Sequence, residues 1–172
     1  MELLIPGLIL VALMVYASTK IKKNAAKAFE SEFIETGEFS ITKPEGFLHP
    51  LNDDSEYAFE AYSKEFGQDQ AEQHRQAKVE LFVFNDANFD DQRDEISREV
   101  TTIVSEKFEE TNSGKALFIQ AEREDGNAAV VSFYKVVARN NRIYTLRVSV
   151  LPEYYDAYLD RINEMLDSFE LK

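Results

Sequence analysis

Cysteine is absent from this 172-residue chain. That excludes disulfides, thiolate metal sites, cysteine nucleophiles and a lipidated N-terminal cysteine. It does not choose a compartment, because a core of sufficient size needs no staple on either side of a membrane. Glycine and proline are scarce, at six and four residues, and nothing in the composition points to disorder or a repeat array. Basic residues are outnumbered, 19 Lys and Arg against 32 Asp and Glu. An acidic body of this kind repels nucleic acid and anionic lipid alike, so DNA and RNA are excluded as partners.

One long apolar run exists, and it lies at the start. Leu3 to Tyr16 is apolar apart from Pro6 and Gly7, and Ala17-Ser18-Thr19 extends it to Lys20. That is roughly 17 residues or about 25 Å of helix, the short end of what crosses a bilayer core. A cleaved signal peptide would place basic residues first, whereas here Lys20, Lys22 and Lys23 follow the run. A buried core helix is the other alternative, but an all-round apolar helix with a basic collar is unusual in a soluble domain. The sequence therefore predicts a single-pass anchor through the lipid bilayer over residues 3–19, with Leu3 and Tyr16 near its ends. The collar favours the cytoplasmic side, which puts the N-terminus outside and the domain in the cytoplasm; a periplasmic or lumenal domain is the alternative. Charge divides at the same place: residues 1–27 carry net +3, and the remainder, with 15 basic and 31 acidic side chains, carries −16.

Residues 1–37 read as membrane helix plus stalk. Ile21, Ala25, Phe29 and Phe33 recur at helical spacing, which predicts one helix to about Thr36 with Gly37 as its stop. Residues 38–172 read as one acidic domain. Glu38–Thr42, Tyr57–Tyr62 and Val79–Phe84 alternate as strands, and Gly67–Gln76 is loop-like. A helix is expected from Asn88 or Asp90, with Ile96, Val100, Ile103, Val104 and Phe108 as its buried stripe and Asn112-Ser113-Gly114 as its end. Ala116–Arg123, Ala128–Ala138 and Arg142–Leu151 form a meander, its last turn the Asn140-Asn141 pair. Pro152 opens a final helix with Tyr155, Tyr158, Ile162, Met165 and Phe169 on one face. The order β-β-β-α-β-β-β-α predicts an α+β fold: an antiparallel sheet of about six strands with two packed helices.

Two segments resemble the PsbP/Mog1/DcrB-like group of α+β domains over residues 38–172. Phe39-Ser40-Ile41-Thr42-Lys43-Pro44-Glu45-Gly46-Phe47 is similar to that group's opening strand and proline-x-glycine-aromatic turn. Strand Tyr144–Leu151, the helix after it and Asp167-Ser168-Phe169-Glu170-Leu171 resemble its ending. The resemblance implies a non-enzymatic accessory, assembly or binding module, and it carries no catalytic residues.

Residue patterns that carry chemistry are correspondingly few. His49 and His74 sit in polar stretches where a solvated ring is the ordinary outcome. Asp86-Ala87-Asn88-Phe89-Asp90 matches the first five positions of a calcium loop, but Asp91 stands where glycine is needed and Ser97 where glutamate is needed. A capped helix start explains the same residues. Asn52-Asp53-Asp54-Ser55-Glu56 offers oxygen ligands but reads as a turn. Ser113-Gly114-Lys115 lacks the upstream glycine of a phosphate loop. With so many acidic residues some carboxylate pair is inevitable, and Asp86, Asp90 and Glu95 carry no specific signal. Neither a cofactor nor a metal is expected, and the protein does not read as an enzyme. The reading is an accessory subunit docking on a larger membrane complex; the alternative is a tethered small-ligand-binding module. Phe29, Phe33, Tyr154 and Tyr158 are the candidate partner contacts.

Overall fold

The computed structural model of the protein describes residues 4–50 and 55–172, with only the backbone described at 4–10, 12, 23–25 and 70. The first element is a helix, α1 (Leu4–Lys27). Strands β1 (Glu32–Glu35), β2 (Phe39–Lys43), β3 (Phe47–Leu48), β4 (Phe59–Ser63) and β5 (Ala77–Asn85) lead to helix α2 (Phe89–Glu99). Then come β6 (Thr102–Thr111), β7 (Gly114–Asp125), β8 (Ala128–Arg139), β9 (Arg142–Val150), helix α3 (Tyr155–Ser168) and β10 (Glu170–Leu171). The strands form two antiparallel sheets: a three-stranded one in the order β1-β2-β10 and a seven-stranded one in the order β3-β4-β5-β9-β8-β7-β6.

The α+β class and the antiparallel meander agree with expectation, and three details do not. The stalk helix to Thr36 is not formed. Helix α1 ends at Lys27, and Phe33 and Ile34 instead pair with Thr42 and Ile41. Thr36 Oγ1 accepts from the backbone N–H of Glu38 and Phe39, closing the β1–β2 turn at Gly37. The second helix stops at Glu99, not near Asn112. Val100 is extended, with φ −95° and ψ 150°. The spacing of Ile96, Val100, Ile103 and Val104 is helical, but Thr101 to Val104 is a β-branched run that prefers a pleated strand. The large sheet thus gains β6, and also the short β3, while the expected first strand, β2, is drawn off into a second small sheet, so that it counts seven strands where six were expected.

The large sheet is covered on both faces. On one side α3 lays Ile162, Met165 and Leu166, and Phe169 just after it, against Val79, Leu81, Leu146 and Val148, all almost inaccessible. On the other, Ile96 of α2 meets Leu117, Ile119, Tyr134, Val136 and Ile143. The alternation in β5 and β9 explains this: odd positions of β5 and even positions of β9 feed the first core. Lys135, pointing into that core, caps α3, its Nζ donating to the carbonyls of Leu166 and Phe169 at 2.5 and 2.9 Å. Lys43 does the same for the segment after α1, donating to Ala28, Glu30 and Phe47 carbonyls.

Residues 4–27 form one continuous helix, and its described apolar side chains are exposed. Among the described residues no helix is long and apolar enough to cross a membrane.

Candidate functional site

The least ordinary side chains lie on the α2 side of the sheet, on the part that α2 does not cover. Lys78 and Glu80 on β5 alternate with the core residues Val79 and Leu81, so they share this face. Register places Glu80 opposite Arg147 on β9. Glu80 is 4% exposed; its Oε2 accepts from Arg147 Nε and Nη2 at 2.9 and 2.7 Å, and its Oε1 takes Lys78 Nζ at 2.7 Å. Burial alone would raise its pKa, but Arg147 and Lys78 outweigh that and hold it below the usual carboxylate value. A carboxylate locked in its charged form by two cations is the opposite of a general acid.

Aromatic rings floor this cluster. The Arg147 guanidinium lies 4.6 Å from the Phe82 ring centre, Tyr57 meets Phe82 edge-on at 5.1 Å, and Lys78 Nζ stands 5.3 Å over Tyr57. Burial first, then Glu80 and Glu56, raise the Tyr57 phenol. Sequence reasoning missed this cluster. Its signal was present in two charged residues set into the strand Lys78-Val79-Glu80-Leu81 and an arginine inside Tyr144-Thr145-Leu146-Arg147-Val148.

Two open grooves flank the sheet. One, of about 450 Å³, runs over the same polar face past Tyr62, Lys78 and Ser149 to His74, Arg75 and Asp125. Arg75 is clamped there between the rings of Tyr62 and Phe66, at 4.5 and 3.9 Å. The other, of about 260 Å³, lies between α3 and the β6–β7 hairpin, with Phe118, Phe133 and Leu166 as an apolar floor and Lys107, Glu109 and Asp167 at its rim. The space directly beneath α3 is filled by core side chains.

The residues singled out in the sequence are scattered. Leu3 lies outside the described residues, as does the side chain of Lys23. Tyr16, Lys20 and Lys22 are exposed on α1. Phe33 is 63% exposed on β1, while Phe29 is half-buried, its carbonyl accepting from Gly46 N–H at 2.8 Å. Tyr154 is half-buried against the core. Tyr158 is buried, its hydroxyl donating to Gln76 Oε1 at 3.1 Å and its ring edge-on to Phe47, so it presents nothing to a partner. His49 stacks on Phe59 and donates from Nδ1 to the Glu60 carbonyl at 2.7 Å, and His74 is half-buried by the polar groove. Asn88 caps α2, its Oδ1 accepting from Asp91 N–H at 3.0 Å. Asp86 is held by Asn141 Nδ2. Asn52, Asp53 and Asp54 lie outside the described residues. Among the described residues no three carboxylates or histidines cluster for a metal.

The sequence matches no family model and no curated protein. Solved structures do match. Cyanobacterial PsbP (CyanoP) from Synechocystis sp. PCC 6803 superposes with a TM-score of 0.57 at 8% identity, covering 84% of this chain and 94% of its own. The Ran-binding protein Mog1p of Saccharomyces cerevisiae superposes with a TM-score of 0.53 at 10% identity, covering 83% and 96%. The class is thus a two-sheet α+β domain built on an antiparallel meander. Its fold is that of the PsbP/Mog1-like domains.

Proposed function

We propose that the protein is a membrane-tethered, non-enzymatic accessory subunit whose domain docks on a larger membrane protein complex. The first helix carries this reading. Val11, Leu13, Met14, Val15, Tyr16 and Ile21 are each 59% to 67% exposed. Apolar surface on that scale calls for a cover of lipid or protein. The run from residue 3 to 19 and the collar at Lys20, Lys22 and Lys23 favour lipid, with the N-terminus outside and the domain cytoplasmic. The acidic domain is repelled by anionic headgroups and stands off the bilayer. Support for docking comes from the fold, which Mog1p, a Ran-binding protein, shares. Tethering raises local concentration, so a modest interface suffices.

The test is gentle solubilisation of the native membrane and capture on a C-terminal tag. A stoichiometric membrane companion is expected, and the protein should stay with the membrane through an alkaline carbonate wash. A chain that washes free, or that always purifies alone, ends this reading. The groove beside α3 keeps a second reading alive, a small apolar ligand resting on Phe118, Phe133 and Leu166. Fragment screening by NMR that leaves the Phe118 and Phe133 signals unmoved would remove it.

A further inference from the structure

Among the described residues the seven-stranded sheet has two edges of very different kinds. Strand β3 is two residues long and closes one side harmlessly, whereas β6 closes the other with ten residues, most of them exposed. A long ordered edge offers a row of backbone donors and acceptors to another strand. Its side chains are also self-complementary. Lys107 and Glu109 lie on one face, 2.6 Å apart, and Phe108 between them is 45% exposed on the other.

We propose that β6 pairs antiparallel with β6 of a second copy, about a two-fold axis at Phe108, joining two sheets into one. In this register Phe108 faces Phe108 across the axis, and Lys107 of each copy faces Glu109 of the other. A two-fold interface repeats each favourable contact. Aromatic and opposite-charge pairs directly across an antiparallel junction are the ones that stabilise it. Glu106 would face Glu110, a like-charge pair. Arg93 already holds Glu106, and Lys115, opposite Glu110 in register on β7 with its Nζ 4.2 Å over the Phe108 ring, keeps a cation on the same face beside it. The irregularity between Ile103 and Ser105 ends the flat stretch, which confines pairing to residues 105–111.

The chain has no cysteine, so a single thiol reports on the register. Full-length Phe108→Cys, in native membrane or mild detergent, is oxidised or treated with a short bismaleimide. The register puts these two thiols directly opposite, and a covalent dimer is expected. Val104→Cys, on the same strand and 54% exposed, stands about 26 Å from its mate in this register and should stay monomeric. No dimer from Phe108→Cys, or equal yields from both variants, overturns the proposal. In the Phe108→Cys background Lys107→Glu should slow cross-linking about tenfold, and adding Glu109→Lys should restore it. A double variant as slow as Lys107→Glu alone also overturns it. Circular dichroism of each variant separates a lost fold from a lost contact.

Discussion

Glu80 shows how much one side chain can hold in this domain. It sits almost wholly buried between Arg147 and Lys78, and removing its charge leaves Arg147, whose side chain is 14% exposed, without its main partner. Glu80→Gln should cost about 3 kcal/mol at pH 7 in urea unfolding, the scale for breaking a buried pair from one side. Its folded pKa lies below the ordinary 4.5, so its contribution is complete above that value and is lost as pH falls through the folded pKa. The gap between wild type and variant should therefore narrow at pH 3. Lys135 runs the other way. Burial lowers its pKa from 10.5, so between the lowered value and 10.5 the unfolded chain holds more protons and stability rises with pH. Lys135→Met should remove that alkaline rise, measurable by unfolding between pH 8 and 10.5.

At the scale of elements, the turns set the meander. Asn140 and Asn141 have φ of 52° and 62°, the left-handed pair that a two-residue hairpin needs. Asn140→Val should cost about 1–2 kcal/mol, read as a lower melting temperature, whereas Asn140→Gly should be nearly neutral. The loop after β4 depends on close approach. A Cβ on Gly67 would come within 2.5 Å of Leu151 Cδ1 and 2.7 Å of the Ala71 carbonyl, so Gly67→Ala should destabilise by about 1–3 kcal/mol in the same assay. The hairpins and α3 were legible because their signals are local: an Asn-Asn pair, Pro152, and side chains alternating at the right period. Strands β1 and β6 were not, because Phe29/Phe33 and Ile96/Val100/Ile103 also satisfy a helical period. Pairing with the next strand in the chain decided them, β1 with β2 across Gly37 and β6 with β7 across Asn112-Ser113. The charged cluster at Glu80 was hidden for a different reason, since Glu80 and Arg147 are 67 positions apart and only register brings them together.

The molecule as a whole is an exposed apolar helix attached to an acidic, well-packed domain, and the two parts can be separated experimentally. With the anchoring proposed above, Leu13→Lys with Val15→Lys should release the protein into the carbonate-soluble fraction while leaving the domain's unfolding free energy unchanged within about 0.5 kcal/mol, the scale of changes remote from packed structure. The general shape of the domain could be anticipated from Phe39–Phe47 and Tyr144–Leu171, while a partner could not, because neither groove contains a residue pattern that names one. The small sheet also sets an order of events during synthesis. Strand β2 lies between β1 and β10, and its Phe39 waits for Leu171, while the Glu38 carbonyl waits for the N–H of Lys172. That sheet cannot close until nearly all of these residues have left the ribosome, long after α1 has emerged. A nascent chain stalled before residue 170 would expose the edge of β2 and the unsealed end of the core, which makes the late stage of translation the interval in which its unpaired edge and apolar surface are most open to aggregation.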